Sequence, residues 1–219
     1  MPTGTEITII VCMVASFVLV AAEWRAWPVS RGLLKVIASS AFVAVALQLE
    51  ATATAYGRLI LAALALSWVG DVFLLSKQSR NFMLGIASFL ASHIVYSIAF
   101  AHRPLSEPAL VAGFAVMGCT GIIVLKWLWS HLSGFYRFAV TAYIFAIIVM
   151  CSFAIAVCSA SGNWILAVGA LAFAASDISV ARDRFVAHAI INRAWGLPLY
   201  YTAQVVLALS VGGADITAI

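Results

Sequence analysis

Long apolar runs broken by short polar turns divide the chain into eight segments, each near the ~20 residues a membrane-spanning helix needs. They run from Thr5 to Ala22, Leu33 to Leu49, Arg58 to Leu75, Phe82 to Ala101, Ala109 to Trp129, Tyr136 to Val157, Trp164 to Ala181 and Ala194 to Val211. The second ends early, at Gln48 and Glu50, and is followed by the weakly apolar ATATAY. The pattern predicts an all-α membrane protein, a polytopic bundle of eight transmembrane helices forming one transmembrane domain over residues 1–219.

Composition excludes the soluble alternative. Of 219 residues, 65% are hydrophobic and only 9% charged, against about half and a quarter in soluble domains. A bilayer solvates such a surface directly, provided every backbone polar group is satisfied within helices. Cys12, Cys119, Cys151 and Cys158 all fall inside apolar segments, where a thiol behaves as a small hydrophobe and no disulfide framework is implied. The first segment lacks a basic leader region and a clear cleavage site, so it reads as a retained helix.

The net charge of +4 matters less than where it lies. The turns after helices 1, 3, 5 and 7 carry Arg25, Arg31, Lys35, Lys77, Arg80, Lys126, Arg137, Arg182, Arg184 and Arg193, and the opposite side carries only Arg58 and Arg103. By the positive-inside rule the basic turns face the cytoplasm and both termini face away from it. In a bacterial cell this is an inner-membrane protein. Trp24, Trp27, Trp127, Trp129 and Trp195 lie near helix ends, as interfacial anchors do.

Two acidic residues break the apolar pattern from within. Asp71 precedes Lys77 by six residues and Asp177 precedes Arg182 by five, on helices that run in the same direction. Both carboxylates therefore lie roughly 8 to 9 Å inside the cytoplasmic boundary. An intramembrane carboxylate costs on the order of 2.5 to 3.5 kcal/mol on insertion scales, which makes each a functional-site candidate. Helical phase sets His93 on a face with Tyr96, and Gln204 on a face with Tyr200 and Tyr201. The small residues around Asp177, including Ser176, let neighbouring backbones approach. The expectation is one polar cluster in which Asp71 and Asp177 face each other across a cavity open to the cytoplasmic leaflet. Pro198 should kink helix 8 or free a carbonyl near it.

Several chemistries are excluded. There is no Gly-x-Ser-x-Gly nucleophile elbow and no His-Glu-x-x-His zinc motif. Lys35, Lys77 and Lys126 fall at helix ends or in loops on these boundaries, and among the four histidines only His93 is well inside a helix.

The segments GRLILAALALSWVGDVFLL, FMLGIASFLASHIVYSIAF, VTAYIFAIIVM, GALAFAASDISVARDRF and YYTAQVVLAL carry Gly-Asp, His-x-x-Tyr, Ser-Asp and Tyr-x-x-Ala-Gln in that order. In this the chain resembles the YhhN-like family of membrane proteins, the lysoplasmalogenases, from about Tyr56 to Leu209. The family tends to place a proline straight after a lysine at the start of helix 2, whereas Lys35 is followed by Val36, so Lys35 takes no role in this reading.

The resemblance implies an eight-helix hydrolase that cleaves the vinyl ether bond of lysoplasmalogens, giving a fatty aldehyde and glycerophosphoethanolamine or glycerophosphocholine. It implies a lysophospholipid and the bilayer as partners, no nucleic acid, no metal and no cofactor. Cleavage requires protonation of the β-carbon and addition of water to the oxocarbenium ion. Two carboxylates in unlike environments can supply acid and base. The expected catalytic residues are Asp71, Asp177 and His93, with either Asp as the acid. Substrate contacts are expected from Tyr96, Tyr143, Ser176, Arg193, Tyr200, Tyr201 and Gln204. The alternative is a carrier or binding protein for a small amphiphile or for protons, with the Asp pair as a relay.

Reporter fusions test the orientation. A fusion in the turn at Lys77 should report the cytoplasm and fusions at both termini the opposite side; a cytoplasmic C-terminus would mean that one span has been miscounted.

Overall fold

In a computed structural model, which describes residues 3–76 and 78–212, the chain folds into eight long helices. They are α1 (Thr3–Trp24), α2 (Pro28–Gln48), α3 (Ala55–Phe73), α4 (Ser79–Ala101), α5 (Glu107–Trp129), α6 (Phe135–Ser161), α7 (Ile165–Ala181) and α8 (Ile190–Leu209). All eight are long and apolar enough to cross a membrane, and no strand occurs among the described residues. Lys77 lies outside the described residues.

Local signals set the helix ends. Pro28 stands in the first turn of α2, where its missing N–H costs nothing. The Thr54 hydroxyl caps α3 by accepting from the Gly57 amide at 2.9 Å. Gly162 closes α6 at φ 72°, the left-handed conformation glycine reaches without strain.

Two starts differ from the sequence expectation, with consequences for the site. Proline at the first helical position begins α2 at Pro28 rather than Leu33, so Lys35 is two turns inside the helix and not at its end. α8 begins at Ile190 rather than Ala194 and carries Arg193 in its first turn. It then runs through Pro198 without interruption. α7 does not stop at Ala181 but continues for five residues, Arg182–Val186, as a π-helical turn.

The helices close a ring in the order α1, α2, α3, α4, α6, α7, α8, and α8 also packs on α2 and α3. α5 stands outside this ring and packs on α6. Its buried positions Gly113, Met117 and Gly121 recur every four residues as one narrow stripe, with Gly113 against Ser152 and Gly121 against Ile144 and Ile148. The large side chains Phe17, Val116, Ile123, Phe138 and Phe145 point outward from the bundle, as lipid-facing residues do. The interior holds an aromatic group of Phe42, Phe89, Tyr96, Phe173, Tyr200 and Tyr201.

α7 and α8 meet most closely at Gly196, where an added Cβ would overlap the Ser179 side chain. Gly196→Ala should therefore destabilise the protein by about 1 to 3 kcal/mol, the usual cost of overpacking. Ser179→Gly should restore part of that loss in the double variant, measured by thermal unfolding in detergent. Gly118→Ala, at a position with no neighbour within 4 Å, is the silent control.

Candidate active site

A cavity of about 770 Å³ opens inside the ring. The α4 and α6 flank contributes chiefly apolar side chains, among them Phe82, Ile86, Phe89, Val140 and Ile147. Most charged groups come from α1, α2, α8 and the π turn, which bring Glu23, Arg31, Lys35, Arg193 and Asp183, while Arg184 of the same turn lies over Phe82 of α4. Asp71 and Asp177 both line this one cavity. It is thus amphipathic across its width.

Asp71, on the last full turn of α3, is held by three donors. Lys35 Nζ lies 3.1 Å from Oδ1, and Oδ2 accepts from the Ser39 hydroxyl at 2.6 Å and the Tyr200 hydroxyl at 2.8 Å. Lys35 and Ser39 are four residues apart on α2, so one helical face delivers both. Tyr201 backs this face, its hydroxyl 3.4 Å from Ser39 Oγ and 3.5 Å from the Lys35 carbonyl. One cation and two hydroxyls take up most of the acceptor capacity of the Asp71 carboxylate.

Asp177 has a different partner. Its Oδ2 lies 3.2 Å from His93 Nε2, an ion-pair contact between two buried atoms, neither of which makes a hydrogen bond. His93 is fully buried, stacked on Phe173 with ring centroids 4.4 Å apart. Its Nδ1 is 2.7 Å from the Phe89 carbonyl. A carbonyl only accepts, so Nδ1 carries a hydrogen. Nε2 of the neutral ring is then an acceptor facing a carboxylate oxygen, and two facing acceptors become compatible only when one of them takes up a proton. The dyad is an imidazolium with a carboxylate or a neutral ring with a carboxylic acid, and in either form it stores one proton beside the cavity. The Tyr143 hydroxyl also reaches Asp177.

Asp71 and Asp177 line one cavity, as the sequence reading expected, and the contacts of each are to other groups. Each has its own partner, Lys35 for Asp71 and His93 for Asp177, because α2 and α4 present a cation and an imidazole that depth alone does not reveal.

The remaining expected residues divide between the cavity and the packing behind it. Tyr143, Ser176, Arg193 and Tyr200 line the cavity. The Ser176 hydroxyl, however, is spent on the Phe173 carbonyl of its own helix. Arg193 is committed too, donating to Glu23 at 2.5 Å and to Asp183 at 3.1 Å, so that it ties α1 and the π turn to α8. Tyr96 and Gln204 lie behind the cavity in a buried chain: the Tyr96 hydroxyl donates to Gln204 at 2.8 Å, and Gln204 donates to Ser67 at 3.2 Å. Tyr201 also stands outside the cavity lining. These three join helices and do not face the cavity.

Lys35, Ser39, Glu23 and Asp183 were missed. Pro28 was the available signal for the first two, since starting helix 2 there brings Lys35 and Ser39 onto one face within the membrane. No group of three or more His, Cys, Asp or Glu side chains that could hold a metal ion occurs among the described residues.

The sequence model of the YhhN family matches residues 30–211. The chain is similar to lysoplasmalogenase TMEM86A of Bos taurus, with 31% identity over 157 residues, 69% of this chain and 64% of that protein. It is 33% identical over 157 residues to the Homo sapiens TMEM86A protein, with the same coverage of both chains. With the lysoplasmalogenase of Mycobacterium bovis it shares 30% identity over 178 residues, 75% of this chain and 64% of the relative. The chain thus spans about 64% of the length of these curated relatives. No solved structure matches it.

The Lys35 and Asp71 side chains are only 13% and 4% exposed. Removing one member strands the other, so Lys35→Met should cost about 3 to 5 kcal/mol. Lys35→Met/Asp71→Asn should recover much of that loss, since no unpaired charge remains. Unfolding of the purified wild type and the two variants in detergent checks both values.

Proposed function

The chain belongs to the YhhN family, and on that footing we propose that it hydrolyses the vinyl ether bond of lysoplasmalogens. The products would be a fatty aldehyde and glycerophosphoethanolamine or glycerophosphocholine. The observation that carries this reading is the 3.2 Å contact of Asp177, on the cavity wall, with His93 Nε2 behind it, beside a lysine-paired Asp71 on the same cavity. The cavity's amphipathic cross-section suits a lysophospholipid, with the alkenyl chain along α4 and α6 and the head group among the charges of α1, α2 and the π turn.

In this mechanism Asp177 is the general acid. It delivers the dyad's proton to the β-carbon of the vinyl ether; the C=C electron pair forms the new C–H bond, and positive charge develops on the α-carbon and the ether oxygen. The dyad, now one proton poorer, takes a proton from the water that adds to the α-carbon, leaving a hemiacetal. Collapse of the hemiacetal breaks the C–O bond to glycerol, the glycerol oxygen gains a proton, and aldehyde is released. Asp71 stabilises the oxocarbenium ion and holds the water. Tyr200 connects its hydroxyl to Asp71 while its ring packs on Phe89 and Phe173, which fixes that carboxylate relative to the wall beside His93. His93 does not line the cavity; it is a positioning residue that holds the proton on Asp177.

The cavity mouth faces the cytoplasm in this reading, on the strength of the basic turns, with both termini on the other side.

Purified protein in detergent should release aldehyde from an alkenyl-lysophospholipid, which a carrier would not do. Asp177→Asn and Asp71→Asn should each lower turnover by about 100-fold or more, the scale of a lost acid–base group. His93→Gln should cost nearly as much as Asp177→Asn, and the double variant little more than either, because the dyad acts as a unit. Turnover in D₂O should fall. Full activity in folded Asp177→Asn protein would remove Asp177 from the mechanism, and no aldehyde from the wild type would favour the carrier.

A further inference from the structure

We propose that Arg184, on the π turn, is the residue that binds the phosphate of the substrate head group; the choice of substrate rests on the lysophospholipid reading above. Besides His188, which lies 3.1 Å from Asp183, four lysine and arginine side chains line the cavity, and three are matched by carboxylates that also line it. Lys35 pairs with Asp71, and Arg193 pairs with Glu23 and Asp183. Arg31 lies 3.7 Å from the same Glu23. The fourth carboxylate, Asp177, shares its proton with His93 and adds no net charge as a pair. Among the lysine, arginine and carboxylate side chains of the cavity one positive charge is therefore left without a carboxylate, and it resides on Arg184.

The surroundings of Arg184 agree with that charge count. Its guanidinium lies over the Phe82 ring, 4.2 Å from the centroid, and no carboxylate or carbonyl accepts from it among the described residues. The ring supports one face of the guanidinium and leaves its edge N–H donors open. Phe82 is itself held against Phe185 and Tyr136, with centroids 6.2 and 6.4 Å away, so the cation sits on a fixed aromatic base at the mouth. A π turn inserts an extra residue into the helical ladder and re-aims the side chains that follow. Here it turns Asp183 toward Arg193 and leaves Arg184 over Phe82 at the cavity. A phosphodiester carries one negative charge and accepts two parallel N–H bonds from a guanidinium edge. Charge and geometry both match.

The test is a titration of the whole protein in neutral detergent with two probes that contain no vinyl ether, an alkyl-ether lysophosphocholine and the corresponding alkylglycerol. Wild type should bind the phosphate-bearing probe more tightly. Arg184→Gln should weaken that binding about tenfold or more, as loss of a charge-assisted hydrogen bond does, and leave alkylglycerol binding unchanged. Arg184→Lys should recover part of the loss. Equal loss for both probes, no loss for either, or a wild type that fails to prefer the phosphate overturns the proposal. Inorganic phosphate in the same titration separates the sources: if low concentrations abolish the Arg184-dependent part, the site takes the free anion and not the lipid. Because neither probe is cleaved, an Arg184 effect without aldehyde release from the alkenyl lipid would keep this site and remove the hydrolase reading.

Discussion

Three donors from two other helices converge on Asp71 within the bundle, and they are what a buried carboxylate needs. Lys35 and Ser39 come from α2 and Tyr200 from α8, and each contact constrains the position of its helix relative to α3. Taking a carboxylate out of water costs several kcal/mol, recovered only when its partners are well placed. The register of α2 and α8 against α3 is thus tied to the charge on one side chain. The cavity forms beside this junction. Its chemistry depends on Asp71 and Asp177 having different partners.

Much of this was legible in the sequence. Long apolar runs with few breaks predict spanning helices whatever their packing, and a carboxylate inside such a run marks itself. Asp71, Asp177 and His93 stand out for that reason, as does the presence of Tyr143 and Tyr200 near them. What the sequence did not yield is who pairs with whom. Lys35 was set aside because Val36 follows it where the family places a proline, and a start at Leu33 put it at a helix end, while the first-turn proline at Pro28 adds the turns that bury it. Arg193 read as a substrate contact because its two carboxylate partners are remote, one of them 170 residues away in the chain. Tyr96 and Gln204 share the polar character of cavity residues, and only packing distinguishes a hydrogen bond that joins helices from one offered to a ligand.

The π turn at Arg182–Val186 was invisible for a related reason. Helical periodicity detects regular segments, and one extra residue in a ladder leaves composition unchanged. Its effect is local and large. Without the insertion, Asp183 and Arg184 would continue the phase of α7; with it, one side chain braces α8 and the next stands at the cavity mouth.

The Arg193–Glu23 pair joins the last helix to the first, and this has a consequence for how the protein is made. Synthesis runs from the N-terminus, so Glu23 and Asp71 enter the membrane long before α8 exists. Lys35 is available to Asp71 from the start, since α2 precedes α3. The Tyr200 hydroxyl and the Arg193 guanidinium arrive only with the final helix. Ring closure and completion of the carboxylate site are the same late event, and a nascent chain that lacks α8 carries an open bundle with Glu23 still awaiting Arg193.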